Sequence, residues 1–171
     1  MSELFAQGRL GEDNELVQTL NPADMQRSLI TMLGQARDIV RISSPLLNPA
    51  VFNHEDVRSA VSAFARSSRN AQVRILVGNT HVLAERGHRL LKLGRRLSTS
   101  VVLRKPEMHE HEVQPEYVLV DDSGTIEIAA AEQDPASVYF CNRVRNKTLA
   151  EQFDLLWHKS HTPVELRSIV L

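Results

Sequence analysis

Cysteine is nearly missing from this sequence. The single residue, Cys141, excludes a disulfide framework and fits a reducing, cytoplasmic compartment. Long apolar runs are missing too: none approaches the roughly 20 residues a membrane-spanning helix needs. The first residues, MSELFAQGRLGEDNELV, lack a basic segment followed by an apolar one, so no secretory leader is expected. Net charge is also lacking. At -1, it provides no global pull toward nucleic acid or an anionic membrane. Glycine and proline, seven each, do not gather into a linker, and no repeat is visible, so a chain of 171 residues is most simply one domain. What is present is ordinary for a globular protein able to bury a core, 42% hydrophobic and 24% charged. No cofactor is expected.

The apolar pattern supplies the elements. Residues 1–21 read as an N-terminal arm or edge strand, with ELVQTL at 15–20 as the strand. Asn21, Pro22 and Asp24 form a helix start, and Met25, Leu29, Met32, Leu33 and Ala36 lie on one face, so a helix is expected over 22–37. Ile39, Val40 and Ile42 then read as a buried strand stopped by Pro45. Asn53 with Asp56 opens a second helix, and QVRILVGN a second buried strand. A third helix is expected over 82–97, and VVLRK (101–105) is the next strand. Helices and strands alternating this way indicate a mostly parallel sheet with helices on its faces. Further on, YVLVDD, a Ser123-Gly124 turn and TIEIAAA read as a hairpin. ASVYFCNR reads as a strand. Thr148 and Glu151 read as a capping box opening a helix with Leu149, Phe153, Leu156 and Trp157 inward. VELRSIVL reads as a terminal strand. The expected class is α/β, a three-layer α/β/α sandwich with a mixed, mostly parallel sheet.

Several local sequences, in this order, resemble half of a phospholipase D superfamily protein. They are Ala36-Arg-Asp-Ile-Val-Arg-Ile-Ser-Ser-Pro45, Arg69-Asn-Ala-Gln-Val-Arg-Ile-Leu76, the Leu93-Gly94 turn with Val101–Arg104, and the helix carrying Phe153 and Trp157. The resemblance spans roughly residues 22–160 and implies a single domain over 22–171. The superfamily signature is H-x-K, four residues, then D. In QPEYVLVD its positions fall on Gln114, Glu116 and Asp121, so the motif resembles an eroded one.

The resemblance implies a histidine that attacks phosphorus and a lysine that holds a phosphate oxygen. Glutamine has no basic lone pair and no pKa near neutrality, so Gln114 cannot serve as nucleophile or base. A carboxylate in the lysine position converts attraction to repulsion, each about 4 kcal/mol at about 4 Å and an effective dielectric of about 20. The expectation is a catalytically inactive domain with an interaction or regulatory role. A homodimer is implied as well, because single-motif members resemble half of a two-lobed enzyme. An unknown protein partner is compatible with this reading; nucleic acid is not favoured. The simpler alternative is that Asp121-Asp122 only starts a hairpin turn.

Other constellations compete. His109-Glu-His111, with Glu107, Glu110 and Glu112, could face one ion on an extended segment, but no Cys or third histidine stands nearby, and a solvated acidic loop with no metal is the expectation. Two alternatives remain open: a phosphodiesterase or nuclease using His109 or His111, and a nucleic-acid binder. For the latter, Arg89, Lys92 and Arg96 share a helix face as a candidate anion-binding set, against a solvated outer face. Cys141, Trp157 and Phe153 read as core residues. Ser43 and Ser44 sit at a strand's C-terminal end, where ligands collect in α/β folds, although capping ahead of Pro45 is the simpler role.

Overall fold

Asn21, Pro22 and Asp24 do what their chemistry favours in the computed structural model, which describes residues 2–129 and 134–167. Helix α1 is Ser2–Gln7, strand β1 Val17–Thr19 and helix α2 Pro22–Leu33. The Asn21 side chain accepts the Ala23 N–H at the start of α2, and Gly34 ends it. Strand β2 is Ile39–Ser44, α3 Pro49–Phe52, α4 Glu55–Arg66 and β3 Gln72–Val77. Helices α5 (Thr80–Arg86) and α6 (Arg89–Arg96) follow, then β4 (Val101–Arg104), β5 (Glu116–Val120), β6 (Gly124–Ile128), β7 (Ala136–Tyr139) and α7 (Arg143–His158).

The described residues form one seven-stranded sheet, ordered β1-β7-β6-β5-β2-β3-β4. It is mixed, as expected, but its parallel part is limited to β2-β3-β4; the other four pairings are antiparallel. The reason is local. Helices return the chain after β2 and β3, whereas a tight turn joins β5 to β6 and β1 adds an antiparallel edge. Alternation along the strands gives two faces. Val40, Ile42, Val73, Ile75, Val101, Leu103, Val118 and Ile126 face α2, α4 and α6, forming the main core. Leu76, Tyr117 and Leu119 face α7, with Leu149 and Phe153, as a smaller second core. This is a three-layer α/β/α arrangement with no closed barrel.

Several elements depart from the expectations. The helix expected over 82–97 is two, because Gly87 takes a positive φ of 75° and the buried His88 caps α6: its Nδ1 accepts the Leu90 N–H at 3.0 Å. The cap of α4 is His54 rather than Asn53; Asn48 instead caps the short α3. Helix α7 begins at Arg143, capped by Asn142, so Thr148 lies inside it and its hydroxyl donates to the Val144 carbonyl. Cys141 is consequently in the turn before α7, half-buried, not in a strand. The hairpin turn uses Asp121 as its left-handed residue (φ 53°) rather than Gly124, which opens β6. Val164–Leu166 is a 3-10 turn rather than strand, and the remainder of that expected strand, 168–171, lies outside the described residues, as does 130–131 of the hairpin. Within α7, Phe153 is fully buried, while Trp157 and Leu156 are half-buried.

Candidate functional site

Two parallel strands end side by side, β2 at Ser43-Ser44 and β3 at Val77. Because β5 is antiparallel to β2, its first residues meet this end; Tyr117 pairs with Ser43. Gln114 and Glu116 therefore arrive at the C-terminal ends of parallel strands, where an open α/β sheet places ligands.

Gln114 is almost wholly buried there. Its Nε2 donates to Ser43 Oγ at 3.1 Å and to the Leu76 carbonyl at 2.9 Å. Ser43 Oγ in turn donates to the Pro115 carbonyl at 2.7 Å, so the amide and hydroxyl form a hydrogen-bonded chain. Gln114 Oε1 is buried without a hydrogen-bond partner among the described residues. It lies against Gly78, where a Cβ would stand 2.6 Å from it, so a larger residue there would displace this amide. Ser44 Oγ accepts the Leu47 N–H at 2.9 Å, the turn-capping role, and donates to Glu116 Oε2 at 3.0 Å. Burial raises the Glu116 carboxyl above its usual range, and the Ser44 hydrogen bond partly counters this.

Asp121 is elsewhere. It follows the far end of β5, five residues and about 16 Å along the chain from Glu116. Its Oδ2 accepts the Arg37 N–H at 2.9 Å, and its Oδ1 the Asp38 and Ile39 N–H groups at 2.9 and 3.0 Å. Its own N–H donates to the Ile39 carbonyl at 2.8 Å. Asp121 thus clamps the entrance of β2 to the exit of β5. The three motif positions do not form one site: Gln114 and Glu116 come together and Asp121 does not join them. A broad depression of about 1110 Å³ borders Asp121, lined by opposed charges such as Arg143 and Asp122, which pair at 2.7 Å.

His109 is exposed on the loop before β5, with Glu112 at 3.9 Å, and His111 is exposed beside it. Arg89, Lys92 and Arg96 are exposed on α6. Arg89 is engaged, donating to the Asn53 carbonyl at 3.1 Å and lying 3.7 Å from Glu55. The sequence reading missed the close approach of Gly78; the only signal was a glycine directly after an apolar strand.

A family model described as Domain of unknown function (DUF7931) matches residues 21–169. The chain belongs to this family. No curated protein matches it. Among solved structures the DUF7931 chain is similar to Nuc, a phospholipase D family member from Salmonella typhimurium, at 14% identity and TM-score 0.55, covering 82% of this chain and 89% of that one. It is also similar to NucT from Helicobacter pylori, at 14% identity and TM-score 0.58, covering 88% and 98%. TrmBL2, an archaeal chromatin protein with a novel mode of DNA binding, is similar at 12% identity and TM-score 0.59 over 89% of this chain. The chain spans about half of TrmBL2, 54%. At these identities the likeness is one of fold, and the fold is phospholipase D-like. No helix among the described residues is long and apolar enough to cross a membrane.

Proposed function

We propose that this DUF7931 chain is a catalytically inactive phospholipase D-like domain with an interaction or regulatory role, in which Gln114, Glu116 and Asp121 occupy the vestigial motif positions. The observation that carries the reading is the state of Gln114. Its amide is buried and committed to Ser43 and the Leu76 carbonyl, so it is both chemically unable to attack phosphorus and physically spoken for. Glu116 beside it adds a carboxylate where a phosphate oxygen would need a cation. Asp121 fits the same history, because its three backbone bonds serve the fold and would survive the loss of chemistry.

The interaction role draws on an apolar groove of about 390 Å³ next to Gln114, bordered by Met108, Val113, Pro115, Tyr117, Leu155 and Leu156. Val113 is 79% and Leu155 69% exposed, which is unusual for aliphatic side chains so close together. A second copy pairing through this face would cover it with two-fold symmetry.

The test is turnover of bis-4-nitrophenyl phosphate by the pure protein. No release of nitrophenol above the buffer rate is expected. Turnover abolished by His109→Ala or His111→Ala would overturn the reading in favour of a phosphodiesterase using loop histidines.

A further inference from the structure

Helix α7 packs over β2, β5 and β6 and leaves the neighbouring part of that sheet face open. Gln72 and Arg74 of β3, with Val102 and Arg104 of β4, stay partly exposed there. Three arginines share this face. Arg41 and Arg74 are direct partners in parallel register, and Arg104 pairs with Leu76, one same-face step beyond Arg74. Like charges on adjacent strands repel. One carboxylate answers them: Asp154 accepts from Arg41 Nε at 3.0 Å and Nη2 at 3.2 Å.

The guanidinium groups of Arg74 and Arg104 have no hydrogen bond or ion pair with any described residue. Both instead lie against the indole of Trp157, with guanidinium carbons 5.6 and 4.7 Å from the ring centroid. Phe153, fully buried, stacks on the same indole at 5.8 Å and 16° and fixes its place. A guanidinium lying against a ring keeps its N–H edge available for a planar, two-pronged bond to an oxyanion. Two such edges on one aromatic anchor, with two uncompensated charges, match a dianion; a single carboxylate would leave one charge unanswered.

We propose that Arg74, Arg104 and Trp157 form a phosphate-binding site on the open face of β3 and β4. The Glu116–Ser44 pair, by contrast, faces the opposite layer of helices. The phosphate can belong to a small ligand or to a nucleic acid strand.

Trp157 is the only tryptophan, so its fluorescence reports this site alone. The experiment titrates the protein with sodium phosphate and with a short single-stranded oligothymidylate, each against sodium chloride at equal ionic strength. A saturable change in emission is expected with phosphate and not with chloride. Arg74→Gln and Arg104→Gln should each weaken it about tenfold or more, the loss of a charge-assisted bond. Arg104→Lys, which keeps the charge and the aliphatic stem, should weaken it less. Tighter binding of the oligonucleotide than of phosphate supports the site with a strand as its ligand; equal or weaker binding supports it with a small phosphate compound. No saturable change with either probe overturns the proposal. So does a change that persists in the Arg74→Gln/Arg104→Gln variant, or one that follows protein concentration without any ligand and so reports a second copy on this face.

Discussion

Asp121 ties two strands together through its own side chain. One carboxylate accepts three successive backbone N–H groups, from a residue held at φ 53°. Asp121→Ala removes all three charge-assisted bonds and places alanine in a left-handed conformation; it should cost about 2–3 kcal/mol in urea denaturation. Asp121→Asn keeps an acceptor and tolerates that conformation, so it should cost less. His88 gives a second residue-level expectation. Its Nε2 meets the Leu47 carbonyl at 3.1 Å while Nδ1 caps α6, which requires the neutral ring with the proton on Nε2. Burial lowers its pKa to about 4. The unfolded chain therefore binds this proton first as pH falls, and stability is lost from about pH 6.5 down to about pH 4, by at most about 1.4 kcal/mol per pH unit. Glu116 acts with the opposite sign: its raised carboxyl favours folding below its unfolded value and loses that contribution as pH rises through its folded one. Comparing denaturation of the wild type with His88→Asn isolates the histidine. The variant should lack the acid-side decline, and an equal decline in both would contradict the assignment.

At the scale of elements, strands were the most legible part of the sequence. Ile39–Ser44, Gln72–Val77 and Val101–Arg104 are short apolar runs between helices, and nothing else competes with them for the core. Helix boundaries were less legible. Histidine serves as the cap of both α4 and α6, and imidazole is not among the residues a capping rule favours. Thr148 and Glu151 have the spacing of a capping box, yet Asn142 caps α7 from six residues upstream, next to Arg143, which is tied to Asp122 at 2.7 Å. The candidate site was half legible. Spacing located Gln114, Glu116 and Asp121, but only the antiparallel path of β5 separates the third from the first two. The second core rests on Phe153, which contacts Tyr117 edge-on at 6.5 Å and stacks on Trp157. Phe153→Ala should lower unfolding stability by about 3–5 kcal/mol. Trp157→Ala should cost clearly less, because the indole is half-buried.

At the scale of the molecule, the exposed Val113 and Leu155 make a self-paired dimer the simplest cover for the groove beside Gln114. Light scattering at micromolar concentration should give twice the chain mass of 19.3 kDa. A mass near that of one chain, unchanged on tenfold concentration, would refute the dimer. Leu155→Glu, which places a charge in the groove, should shift the mass toward one chain without unfolding the protein. At the end of the parallel strands of this phospholipase D-like sheet stand an amide, two hydroxyls and a carboxylate, bonded to one another and to backbone carbonyls. The central question is whether that strand end can hold a phosphate. A crystal structure of the protein grown with tungstate, a heavy tetrahedral mimic of phosphate, tests this most directly. The predicted result is no oxyanion within hydrogen-bond distance of Gln114 or Glu116, with the Gln114 amide still bonded to Ser43. An ordered tungstate held by Gln114 or Glu116 would contradict it.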